Sequence, residues 1–200
     1  MTGAAQTDGL FYSLARNPLG ASAVLVRFAG VFALALLFVL PAPAQMQNES
    51  SVKAAFVYNL TKYVEWPQTI TTLRIGVIGD GPMGATLQSQ MAGKSSESRA
   101  IQVLLSPSEE ALTRCSILYI TYRSPKKIRE VLGMIRNANV LTIGEADSFA
   151  RDGGMISLVT VSDHVQLQVN LEATQGSHLK VSSRLLNLAT LVRSTSGAKD

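Results

Sequence analysis

The stretch Leu73-Arg74-Ile75-Gly76-Val77-Ile78-Gly79-Asp80-Gly81-Pro82-Met83-Gly84 decides the fold. Its first six residues are a short, mostly apolar run closed by glycine, the pattern of a strand buried on both faces. Such strands belong to parallel sheets, because crossover helices cover both faces. The glycines then form a tight turn into a short helix expected over Ala85–Met91.

Reading outward gives the same alternation. Strands are expected over Ile101–Leu105, Ser116–Ile120, Val140–Ile143, Met155–Val161 and Val165–Asn170. Helices are expected over Pro107–Thr113, from Ser124-Pro125 to about Asn137, and over Ala146–Arg151, the last stopped by Gly153-Gly154. A turn at Ser162-Asp163 makes the final two strands a hairpin. Upstream, Asn48 is a candidate N-cap for a helix whose apolar side carries Val52, Phe56, Leu60 and Tyr63, with Trp66-Pro67 ending it. A last helix is expected over 182–192, with Leu185, Leu186, Ala189 and Val192 at helical spacing. Alternating strands and helices predict an α/β domain with a mainly parallel sheet, mixed at one edge by the hairpin, and helices on both faces.

The chain has 200 residues, 46% hydrophobic and 16% charged, with a net charge of +4 and one cysteine. Its mean hydropathy of +0.20 is high for a soluble domain and traces to one segment. Phe28–Leu40 is a run of 13 uncharged residues preceded by Arg16 and Arg27 and followed by Ala42-Pro43-Ala44, the pattern of a signal peptide with its cleavage site. Thirteen helical residues rise about 20 Å, short of a bilayer core of about 30 Å, which weighs against an uncleaved anchor. The expected organisation is therefore a signal peptide over 1–44 and a single domain over 45–200. The weak positive charge excludes nucleic acid as an expected partner. One cysteine excludes an intramolecular disulfide.

Catalytic and cofactor candidates are thin. Gly79–Gly84 formally matches the dinucleotide-binding glycine pattern, but Pro82 removes a backbone donor and the next strand ends in Leu104-Leu105-Ser106, without an acid for a ribose. His164 beside Asp163 reads as turn chemistry, and His178 lies in a loop near Lys180. Glu109-Glu110 read as water-facing residues on a short helix, and Asp147 and Asp152 flank a short helix without the further oxygen ligands of a calcium loop. Arg123, Lys126, Lys127 and Arg129 read as a solvated helix face, with a surface for an acidic partner as the alternative, and Cys115 as a small buried hydrophobe. No cofactor, metal or catalytic residue is expected. Trp66, the sole tryptophan, is either a core plug or the lining of a ligand or partner cleft.

Four segments together carry a resemblance. They are Val52-Lys53-Ala54-Ala55-Phe56 leading to Tyr63-Val64-Glu65-Trp66-Pro67; Leu73–Gly79; Cys115–Ile120; and Val140–Gly144 followed by Phe149-Ala150, Gly153-Gly154-Met155-Ile156, Val169-Asn170 and Ser182 through Leu188-Ala189. In this order they resemble the YfiR family over about Val52 to Val192. The resemblance implies a Rossmann-like three-layer domain without its nucleotide site, with Pro67, Gly79, Gly153, Gly154 and Asn170 as structural positions. It also implies a non-enzymatic periplasmic regulator that represses an inner-membrane diguanylate cyclase, or another membrane sensor, by binding its periplasmic region. An outer-membrane lipoprotein can sequester such proteins, so raising cyclic di-GMP and biofilm formation, and a homodimer is compatible with the resemblance. Further cysteines that form disulfides in some members fall here at Gly76, Ala150 and Ser157, which leaves Cys115 unpaired. Small aromatic metabolites, which some members bind, would meet Glu65, Lys180 and Ser182 here. The candidate partner or ligand surface is accordingly Glu65, Trp66, Lys180 and Ser182, and the alternative function is a periplasmic small-ligand sensor or carrier.

Overall fold

The computed structural model of the chain describes residues 43–177 and 179–195. Its elements run α1 (Pro43–Leu60), β1 (Val64–Glu65), β2 (Thr72–Ile78), α2 (Met83–Met91), β3 (Ser95–Ser96), β4 (Arg99–Leu105), α3 (Glu109–Leu112), β5 (Ile117–Ile120), α4 (Pro125–Met134), β6 (Leu141–Gly144), β7 (Ile156–Val161), β8 (His164–Asn170), α5 (Leu171–Gly176), β9 (Lys180–Val181), α6 (Ser183–Leu188) and β10 (Thr190–Val192). The expected signal peptide lies outside the described residues except for Pro43 and Ala44, which open α1.

Eight strands form one sheet in the order β10-β8-β7-β6-β5-β2-β4-β3. β2 pairs in parallel with both β4 and β5, β5 with β6, and β6 with β7. The expected α/β fold with a mainly parallel, mixed sheet is therefore present. Alternation along the strands divides two cores. Leu73, Ile75 and Val77 of β2, with Ile117 and Tyr119 of β5, bury against α1, α2 and α6. Ile78, Leu118 and Ile120 bury on the other face against Ile128, Val131 and Phe149.

Several elements differ from the sequence expectation. Helix α1 starts at Pro43, not at Asn48, because proline at a first helical position is pre-set for the helix and Ala, Gln and Met follow it. It also ends at Leu60, well before Trp66-Pro67. The chain turns there, with Lys62 N bonded to Asn59 O at 2.9 Å, and Val64-Glu65 pairs with Lys180-Val181. Its buried stripe is Ser50, Lys53, Ala54, Val57 and Leu60, continued past its end by Thr61, whereas Val52 is exposed and Phe56 and Tyr63 are half-buried.

The helix expected over Ala146–Arg151 is a series of turns. Phe149 lies flat where a Cβ on Gly144 or Gly154 would stand, so both glycines are fixed by its ring. Of the expected last helix only Ser183–Leu188 is helical, because β8 offers an unpaired edge that Thr190–Val192 fills in parallel. The β7–β8 hairpin consequently lies inside the sheet, and a second antiparallel pair, β3–β4, closes the opposite edge. Helix α5 was not expected. Asn170 caps it, accepting from Ala173 N at 3.1 Å while its amide donates to Ala150 O at 2.6 Å and Ser194 Oγ at 2.8 Å. That buried amide ties β8 to the turn after β6 and to the C-terminal segment.

Candidate functional site

Three of the four expected surface residues share one hollow, and the fourth rims it. The β1–β9 ladder sets Glu65 opposite Lys180, and Ser182 N donates to Tyr63 O at 2.8 Å. Glu65, Trp66 and Ser182 line a cavity of about 300 Å³ with Arg99 and Glu97. Lys180 Nζ stands 3.6 Å from Glu65 Oε2, both heads in solvent. Trp66 is a plug and not a projecting anchor. It is 5% exposed and packs in the core, and its Nε1 donates to Thr61 O at 2.8 Å, serving a carbonyl just past the end of α1.

Beside this hollow runs an apolar groove of about 450 Å³ between the end of α1, strand β8 and helix α6. Phe56, Tyr63, Leu167, Leu185 and Leu188 line it, and Tyr63 borders both cavities. Leu188 is 74% exposed, an unusual position for a leucine in a domain with two filled cores.

The third site lies where an α/β sheet usually binds its ligand. The chain leaves β2 for β4 on one side and returns to β5 on the other, so the loops after β2 and β5 diverge at a topological switch point. Gly79 (φ +97°) turns the chain there, and a Cβ on it would collide with Thr121 Oγ1. The crevice is small, about 220 Å³, and charged. Lys53, with a side chain 4% exposed, sits 2.6 Å from Glu49 Oε1 and 3.1 Å from Glu145 Oε2. Tyr119 Oη donates to Glu145 Oε1 at 3.0 Å, and Thr160 Oγ1 to Glu49 Oε1 at 2.7 Å. The hydrogen bond from Lys53, then that from Thr160, holds the Glu49 carboxyl below its ordinary range. Burial, reinforced by Glu145, pushes the Tyr119 phenol far above its usual value. Glu49, Glu145 and Asp80 line this crevice with Lys53 and Arg123, so three carboxylates and two cations border the glycine loop.

Sequence reading passed over this network, though Glu49 and Lys53 stand four apart on α1 and Lys53 interrupts an apolar run. The other candidates stay apart. His164 is exposed at the hairpin, and His178 is outside the described residues. Burial raises the Cys115 thiol, which donates to Ala111 O at 3.3 Å. Arg129 pairs with Asp152 at 3.0 Å. Among the described residues, no three His, Cys, Asp or Glu converge as a metal group. The positions expected to hold extra cysteines elsewhere meet in pairs: a Cβ on Gly76 would stand 2.8 Å from Cys115 Sγ, and Ala150 N donates to Ser157 Oγ at 2.9 Å.

These features define a doubly wound α/β domain whose small switch-point crevice is lined by its own ion pairs. The chain belongs to the YfiR/HmsC-like family (DUF4154), whose match covers residues 50–190. No protein of curated function matches it in sequence. Among solved structures it is similar to a conserved domain protein from Vibrio cholerae, at 12% identity and a TM-score of 0.53 over 71% of this chain and 59% of that one. A second, the ABC domain in complex with L-Trp from Streptococcus pneumonia, has 10% identity and a TM-score of 0.48 over 72% and 60%. The chain thus spans about three-fifths of each of these structures. The Vibrio protein supports the fold alone.

Proposed function

We propose that this chain is a periplasmic regulatory protein that binds the periplasmic sensor region of an inner-membrane diguanylate cyclase and represses it, lowering cyclic di-GMP and biofilm formation. Membership of the YfiR/HmsC-like family over residues 50–190 carries this reading. Among the described residues no helix is long and apolar enough to cross a membrane. The apolar groove beside the Glu65–Lys180 ladder is the binding surface, because Leu188, Phe56 and Tyr63 give it an apolar floor and the ladder a charged rim. Repression follows if the groove holds the inactive sensor more tightly than the active one. An outer-membrane lipoprotein competing for the groove would release the cyclase. The polar hollow formed by Glu65, Trp66, Ser182 and Arg99 favours a second reading, a small-ligand sensor.

Leu188→Asp tests the surface. Its exposure predicts a stability change within about 0.5 kcal/mol, with loss of binding to the solubilised cyclase and a rise in cellular cyclic di-GMP. Unchanged binding by a folded variant would remove the groove. Unchanged cyclic di-GMP on deletion of the gene, where the protein is expressed, would remove the regulator.

A further inference from the structure

The opposite end of the β2–β5 cleft carries an arrangement that the regulatory role does not use. Arg74 lies in β2 between Leu73 and Ile75, so it shares the sheet face of Gly76 and Ile78. Arg74 is the one exposed position of β2, so its guanidinium stands at the open end of the strand. The covering layer stops short, since α3 has only four residues and ends before Thr113-Arg114. A bowl of about 530 Å³ is left between the start of β2 and the start of β5. Arg74 and Arg114 line it together with Thr69, Thr71, Ser116 and Asn139, and no carboxylate lines it. Like most cations among the described residues, Arg74 and Arg114 have no acidic partner; what sets them apart is that both line one bowl with no carboxylate in it.

We propose that this bowl binds a phosphomonoester. Two permanent positive charges match a phosphoryl group carrying close to two negative charges. Planar guanidinium forks suit its oxygens better than a point charge would. The hydroxyl and amide groups of Thr69, Thr71, Ser116 and Asn139 supply further hydrogen bonds, to the remaining oxygens or to the hydroxyls of an attached sugar. The space exceeds that of a bare phosphate, so the ligand has an organic part.

Calorimetric titration of the folded protein at low ionic strength tests this with three probes: inorganic phosphate, glucose 6-phosphate, and vesicles of phosphatidic acid against phosphatidylcholine. Saturable one-to-one binding of glucose 6-phosphate tighter than about 1 mM is expected. Vesicle binding specific to phosphatidic acid would support the same site with a lipid source. Arg114→Ala and Arg74→Gln should each weaken binding by about tenfold, and Arg74→Lys by less, since charge survives without the fork. Arg123→Ala, at the opposite end of the cleft, should leave affinity unchanged. Absence of saturable binding for every probe overturns the proposal. So does binding that survives in the folded Arg114→Ala variant, or that falls equally in Arg123→Ala.

Discussion

The two ends of the β2–β5 cleft handle charge in opposite ways. At the carboxyl ends of the strands, where related architectures keep a ligand crevice open, Lys53 is sunk between Glu49 and Glu145, and Tyr119 closes the network from below. At the amino ends, Arg74 and Arg114 face a larger bowl with no acid in it. Helix α1 explains the first: its buried stripe crosses the switch point and carries the lysine there. Truncated α3 explains the second, because it leaves the sheet face uncovered. A fold's usual ligand position can therefore be stoppered internally while the other end stays open.

The strongest way to break this contrast is to unstopper the crevice. Lys53→Ala removes the cation from two carboxylates, one of them largely buried, and should cost about 3–5 kcal/mol in chemical denaturation. A loss below about 1 kcal/mol would show the network to be a solvated surface cluster. At the other end, Gly76→Cys should form a disulfide with Cys115, because the new Cβ falls at 2.8 Å from the existing sulfur. Closing that loop should add about 2–4 kcal/mol under oxidising conditions and nothing in reductant. Non-reducing electrophoresis and melting temperature with and without dithiothreitol decide it. A persistent free thiol would mean that Leu118 and Pro107 hold the strand too tightly for the bond to close.

Legibility followed the range of the interaction. Strands β2, β5, β6 and β7 were readable because burial on both faces writes an apolar run into local sequence. Two-residue β1 and β9, and the edge strand β10, were not. Each exists through a partner far away in the chain, such as Val64 with Val181 or Thr190 with Gln168. The same limit hid the charged network, since Glu145 and Lys53 are 92 residues apart. The surface residues Glu65, Lys180 and Ser182 came from the family resemblance, and the structure brings them together. Trp66 carried no local sign separating a core plug from a cleft lining, and the structure shows features of both: it is buried with Nε1 bonded to Thr61 O, and it forms part of the wall of the hollow beside Glu65 and Ser182.

A smaller effect probes the stopper through pH. Tyr119 has its folded pKa raised above the ordinary value of 10.0 by burial and by Glu145. The protonated phenol is what the fold stabilises. Its contribution is complete below pH 10 and is lost as pH climbs beyond that, where only the unfolded chain releases the proton. Tyr119→Phe should cost about 1–2 kcal/mol near neutrality, as Glu145 loses a donor but keeps Lys53. It should also flatten the alkaline fall in stability. An unchanged slope above pH 10 in the variant would place the sensitivity in another group.

The smallest effect on stability belongs to the open end, and there the contrast is sharpest. Arg74 has no acidic partner among the described residues and stands in a strand whose neighbours are Leu73 and Ile75. Arg74→Leu therefore gives up no ion pair and adds apolar surface to the sheet face. Its cost in phosphate-free buffer should lie within about 0.5 kcal/mol of zero, against several for Lys53→Ala. The difference between the two proteins should emerge only with ligand. A phosphomonoester at about ten times its dissociation constant stabilises the wild type by about 1.4 kcal/mol through mass action and leaves Arg74→Leu where it was. Melting curves with and without glucose 6-phosphate measure both quantities in one experiment. If Arg74→Leu lost several kcal/mol without ligand, Arg74 would be a structural charge like Lys53, and the two ends of the cleft would follow one rule.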